Sequence, residues 1–126
     1  MHRLKLLIVD DHKDARIALF ERLSIETDME VKEIPASAPE SLAEAMSKKP
    51  DVVLLDVKTT QGDGLKLCSE LVDHYPDIKI MILTSCASPK ELQKVQTSGA
   101  AGYLFKDLEI EDLLTTIRLT SEKEIF

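Results

Sequence analysis

Four stretches of this chain are strongly apolar, and each stops at a polar group. LKLLIV runs into Asp10-Asp11, VVLL into Asp56, KIMIL into Thr84, and GYLF into Lys106. Short apolar runs without alternation suit strands buried on both faces, as in the middle of a parallel sheet. A fifth stretch, MEVKEI over 29–34, alternates charge and apolarity and reads as a strand with one solvated face. Between the strands the period changes. Ala15, Leu19 and Leu23 recur at four-residue steps with Ala18 and Phe20 beside them, which predicts a helix over 13–25. Pro39 stands at the start of a second helix, whose inner face is Leu42, Ala45 and Met46 and which runs to Lys49. A loop with two glycines, KTTQGDG, precedes a third helix built on Leu67, Cys68, Leu71 and Val72, which ends before Tyr75-Pro76. Cys68 reads there as a small core hydrophobe. The fourth helix, 89–98, is thinly apolar: only Leu92 and Val95 stand on its inner face before Gly99 stops it. Ile110, Leu113, Leu114 and Ile117 give the last helix a 3.6-residue stripe.

Five strands alternating with five helices predict an α/β fold, a doubly wound parallel sheet covered on both faces. Right-handed crossovers with helices on both sides require the strand order to reverse, and the order 2-1-3-4-5 sets strands 1 and 3 side by side at the switch point. Ligands bind outside the carboxyl ends of such strands. Residues 1–126 form one domain, with no linker or internal repeat.

Composition narrows the function classes. The net charge is −7 and the longest basic run is Lys48-Lys49, which argues against direct nucleic-acid contact. No apolar run approaches a membrane span and the N-terminus carries no signal-peptide pattern, which points to the cytoplasm. Cys68 and Cys86 form no CxxC, and neither has a Cys or His partner at metal-ligand spacing.

The strand ends carry the chemistry. In the expected topology Asp10, Asp11, Asp56, Thr84 and Lys106 meet on one edge. Adjacent carboxylates repel, and a cation relieves them. Hard oxygen donors suit Mg²⁺, which commonly keeps several waters and takes substrate phosphate oxygens. Lys106 and Thr84 are then placed to hold phosphoryl oxygens.

These pieces, IVDDH, VVLLD followed seven residues after its aspartate by DG, MILTS and GAAGYLFKD, resemble the receiver domain of bacterial two-component response regulators over the whole length. GAAGYLFKD also looks like the subfamily whose receivers usually precede a helix-turn-helix DNA-binding domain. The resemblance implies the flavodoxin-like arrangement of that fold and a signalling switch, not an enzyme with turnover. It implies that Asp56 accepts a phosphoryl group from a phosphohistidine on a partner sensor histidine kinase. Asp11, Asp56 and the backbone carbonyl of Lys58 would hold Mg²⁺, with Asp10 acting mainly through water. Thr84 and Lys106 would contact the phosphoryl oxygens. Tyr103 falls at the family's aromatic switch position, and helix 89–98 is the mobile element that controls an output domain. A homodimer on phosphorylation is implied as well.

Two departures stand out. Thr60 occupies a place where the family commonly has proline, and Lys58 brings a cation beside the site. With Cys86, Lys58 sits where relatives tune the phosphoryl lifetime, so an altered lifetime is expected. A phosphatase of the aspartyl-phosphate type wants a second acid two residues after its nucleophile, where Lys58 and Lys13 stand here. A flavin carrier wants a Ser/Thr/Gly-rich phosphate loop after strand 1, and none follows. A degenerate receiver working by contacts alone is disfavoured because all five site residues are present.

Overall fold

The computed structural model describes residues 3–56, 64–84 and 88–122. Its strands are β1 (Leu4–Val9), β2 (Met29–Ile34), β3 (Val52–Asp56), β4 (Lys79–Thr84) and β5 (Gly102–Phe105). Its helices are α1 (Lys13–Leu23), α2 (Pro39–Ser47), α3 (Gly64–His74), α4 (Pro89–Thr97) and α5 (Ile110–Glu122). All strands pair in parallel, in the order β2-β1-β3-β4-β5. The expected sheet and its five helices are therefore present, with helix ends differing by a residue or two.

The apolar runs are buried on both faces because side chains alternate across each strand. Leu7, Val9, Val53, Leu55, Ile80 and Ile82 pack with Leu42, Met46, Cys68, Leu71 and Val95, under α2, α3 and α4. Leu6, Ile8, Leu54, Met81, Leu83 and Leu104 pack with Leu23, Leu113, Leu114 and Ile117, under α1 and α5. Among the described residues, no helix is long and apolar enough to cross a membrane.

One helix departs from its sequence pattern. On α1, Ala15 and Ala18 are exposed, whereas Arg16 is buried together with Leu23. Arg16 is long enough to reach the sheet edge and finds acceptors there.

The thinly apolar α4 is fixed mainly at its C-terminal end. Val95 is its one buried residue, and the following Ser98 is also buried. The Ser98 carbonyl accepts from the Ser69 hydroxyl at 3.3 Å and lies 3.9 Å from the Cys68 sulfur. Burial pushes the Cys68 thiol pKa up, which agrees with a core role for it. Gly99 then leaves the helix at φ +90°, with Val72 packed where a side chain would begin.

Candidate functional site

β1 ends at Val9, but the amide of Asp10 still reaches the β2 ladder, donating to the Ile34 carbonyl at 3.2 Å. The chain then turns sharply into α1. The turn is held by Asp10 itself, whose Oδ1 accepts from the amide of His12 at 2.9 Å. This fixes the Asp10 carboxyl group at the sheet edge, 6% exposed. His12 occupies the helix cap without a side-chain capping bond, so capping α1 is not the task of its neighbour Asp11.

Asp56, the last residue of β3, is 3% exposed, and Thr84, the last of β4, is 4% exposed. Asp56 pairs in register with Leu83, and Thr84 pairs with Phe105. The amide of Lys106 donates to the Thr84 carbonyl at 2.8 Å, which ties the end of β5 to the end of β4. β5 lies two strands from β3, about 10 Å at ordinary strand spacing. The Lys106 side chain spans that gap, and its Nζ donates to Asp56 Oδ2 as an ion pair. Its side chain remains 35% exposed, so solvent reaches the pair from one side.

Asp10, Asp56 and Lys106 thus come together. Burial drives the Asp10 carboxyl pKa above the usual carboxylate range; the His12 amide opposes this, the nearby Asp56 charge adds to it, and Lys106 offsets part. A raised pKa means that the fold favours the neutral acid. This contribution to stability is complete below the ordinary carboxylate range and is lost as pH climbs through the raised value. Asp10→Asn retains the oxygen that accepts from His12 and removes the charge. Its Tm is expected to exceed that of the parent at pH 7 and to converge with it near pH 4. Equal Tm differences at the two pH values would contradict the assignment.

Asp11 turns elsewhere. Its Oδ1 accepts the amide of Ser37, in the loop after β2, at 2.8 Å. Among the described residues no three carboxylate, histidine or cysteine side chains gather as a cation site. The structure therefore brings Asp10 and Asp56 together and leaves Asp11 braced on the β2 side. Residues 57–63, Lys58 and Thr60 among them, and Cys86 lie outside the described residues.

Tyr103 is half-buried on β5, opposite Ile82, and packs against the core that includes Val95 of α4. Its ring meets that of Phe105 edge-on, with centroids 5.5 Å apart at 82°. Two residues of the site were not legible as such in the sequence. Arg16 donates from Nη1 to the Asp10 carbonyl at 2.7 Å and pairs through Nε with Glu33 at 3.3 Å. The available signal was spacing: Arg16 stands three residues before Leu19 and seven before Leu23, on the buried stripe of α1.

A cavity of about 670 Å³ lies between α1, β2 and α2, lined by residues such as Phe20, Val31 and Ala45. A cavity of about 170 Å³ touches Asp10 and Lys106. What sets the strand ends apart is buried charge.

Comparison with known proteins gives a consistent picture. The sequence profile of the response regulator receiver domain matches residues 6–118. The response regulator protein VraR of Staphylococcus aureus is 34% identical over 121 residues, which cover 96% of this chain and 58% of that protein. The chain thus spans little more than half the length of the curated relatives it matches. Among solved structures, the BeF3-activated receiver domain of Klebsiella pneumoniae RstA is 30% identical with a TM-score of 0.80, covering 94% of this chain and 99% of that one. The signal receiver domain of NarL from Mycobacterium tuberculosis shares the fold at 20% identity and a TM-score of 0.85, covering 97% and 98%.

Proposed function

The chain belongs to the response regulator receiver domain family, the phosphorylation switches of two-component systems, and on that premise we propose that Asp56 is its phosphoacceptor. The observation that carries the assignment is the pairing of buried Asp56 with the partly exposed Lys106 at the ends of β3 and β5, with Asp10 beside it. A carboxylate is a weak nucleophile, and its reactivity here comes from position and from charge around it. The Asp56 oxygen attacks phosphorus as the bond from phosphorus to the donor's imidazole nitrogen breaks, and the imidazole leaves neutral, keeping the proton already on its other ring nitrogen. Lys106 stabilises charge on the phosphoryl oxygens, and Thr84 supplies a hydroxyl donor from the neighbouring strand end.

The donor set fits Mg²⁺: Asp10 and Asp56 bring two nearly buried carboxylates, hard oxygen donors, to one strand edge, with the Lys106 ammonium as the neighbouring cation. Asp11 and Asp56 would hold the ion directly, with the Lys58 carbonyl, and Asp10 through water. The ion neutralises the carboxylates and the incoming phosphoryl oxygens when bound. For Asp11 this requires its carboxylate to share or release the Ser37 amide.

The new dianion on Asp56 draws Thr84 toward it, Tyr103 turns inward, and α4, secured mostly at its Ser98–Gly99 end, shifts at the other. The chain acts as a switch rather than a turnover catalyst. Its donor is a sensor histidine kinase, and it can dimerise when phosphorylated. A solved structure of the same fold, at 24% identity, is a DNA-binding response regulator of the LuxR family from Staphylococcus aureus. An output domain of the DNA-binding kind in the parent protein agrees with that relative.

The chemical nature of the product tests the reading. A phosphoryl group on Asp56 is a mixed anhydride, and neutral hydroxylamine should remove it within minutes. A label that survives hydroxylamine belongs to a hydroxyl ester and contradicts the assignment.

A further inference from the structure

Arg16 is 8% exposed, in a helix whose solvent face could accommodate an arginine freely. Burying a guanidinium and its partner carboxylate brings little net stability, because desolvation consumes most of the attraction. The contacts it makes are specific in position. Nη1 donates to the carbonyl of Asp10, and this carbonyl opens the peptide that joins the two acidic residues. Nε pairs with Glu33, which stands opposite Ile8 at the end of β2. The same end of β2 also holds Asp10 through the Ile34 carbonyl and, a few residues on, Asp11 through the Ser37 amide. The Asp10–Asp11 pair is therefore held at the Asp10 amide, at the Asp11 carboxylate and, by the Arg16 side chain, at the carbonyl of the peptide between them.

We propose that Arg16, oriented by Glu33, is a positioning residue for the acidic pocket: it fixes the Asp10–Asp11 peptide so that both carboxylates are presented to a divalent cation. The inference rests on the receiver reading, since it assigns Arg16 a task within that same site. Arg16 reaches neither the cation nor the phosphoryl group in this role; it sets where the ligands stand. Residues that orient metal ligands from behind typically alter metal affinity by 10–100-fold when replaced. Lysine at this position could reach the Asp10 carbonyl or Glu33, but its single ammonium cannot reproduce the fork.

The test compares wild type with Arg16→Met, Arg16→Lys and Glu33→Gln. Thermal melting establishes that each variant is folded. Mg²⁺ binding is then measured by calorimetry without phosphodonor, and the Mg²⁺ dependence of labelling by a small phosphodonor is measured separately. Arg16→Met should weaken Mg²⁺ binding about tenfold, with the half-saturating Mg²⁺ for labelling rising in step. The maximal rate at saturating Mg²⁺ should stay within about twofold of wild type, since placement and not chemistry is altered. Arg16→Lys and Glu33→Gln should fall between. Folded variants with wild-type Mg²⁺ affinity would overturn the proposal, and so would failure of all three to fold, which would make the pair a purely structural brace. A wild-type protein that neither binds Mg²⁺ nor takes the label would instead overturn the receiver reading itself.

Discussion

Lys106→Met is expected to slow phosphorylation by a small phosphodonor about a hundredfold, the scale for removing one well-placed electrostatic donor from a transition state. Lys106 reaches across from the end of β5 to a carboxylate that is 3% exposed, and it offsets charge on Asp10 as well. The loss should appear in the maximal rate more than in the phosphodonor concentration giving half that rate, because the ammonium matters most as charge redistributes over the phosphoryl oxygens. Stability should change less. Breaking a fully buried pair is strongly destabilising, but Lys106 keeps 35% of its side chain in solvent, so water screens the loss to about 1 kcal/mol. Lys106→Arg restores the charge without the compact ammonium and should recover only part of the rate. A Lys106→Met protein that labels at the wild-type rate would remove Lys106 from the chemistry.

The opposite pattern is expected for Leu54→Ala. Leu54 is fully buried on β3, flanked in register by Ile8 on β1 and Met81 on β4. It belongs to the core beneath α1 and α5, together with Leu114 and Ile117. Strand backbones on both sides prevent the site from collapsing, so the cavity persists and the cost is about 3 kcal/mol. For a domain of this size that lowers Tm by roughly 10–15 °C. Below the lowered Tm, labelling of Asp56 should continue, since the carboxylates and Lys106 stand at the strand ends and not at its centre. Chemical denaturation gives the free energy, and a loss under about 1 kcal/mol would mean that the core repacks around the gap.

The sheet was legible because its strands are buried on both faces and so write themselves as unbroken apolar runs. Each run ends in a polar residue, and a parallel sheet aligns those ends on one edge, so Asp10, Asp56 and Lys106 followed from topology alone. Arg16 was hidden by its type. A charged residue on a helix reads as solvated, and only the positions of Asp10 and Glu33, brought together by folding, make its burial affordable. The engagement of Asp11 by Ser37 was hidden for another reason: it depends on the path of the loop after β2, which no periodicity encodes. The same holds for Arg118, whose guanidinium grips Asp28 and Glu26 from 90 residues away along the chain. Apolarity misled on α1, where Ala15 and Ala18 are exposed.

The proposed switch depends on Asp56 as the reactive carboxylate. Intact-mass measurement after incubation with a small phosphodonor and Mg²⁺ tests this directly. The wild-type chain should gain one adduct of roughly 80 Da, the mass of a phosphoryl group, and Asp56→Asn should gain none under the same conditions. A wild-type chain that stays unmodified, or an adduct that persists in Asp56→Asn, would contradict it.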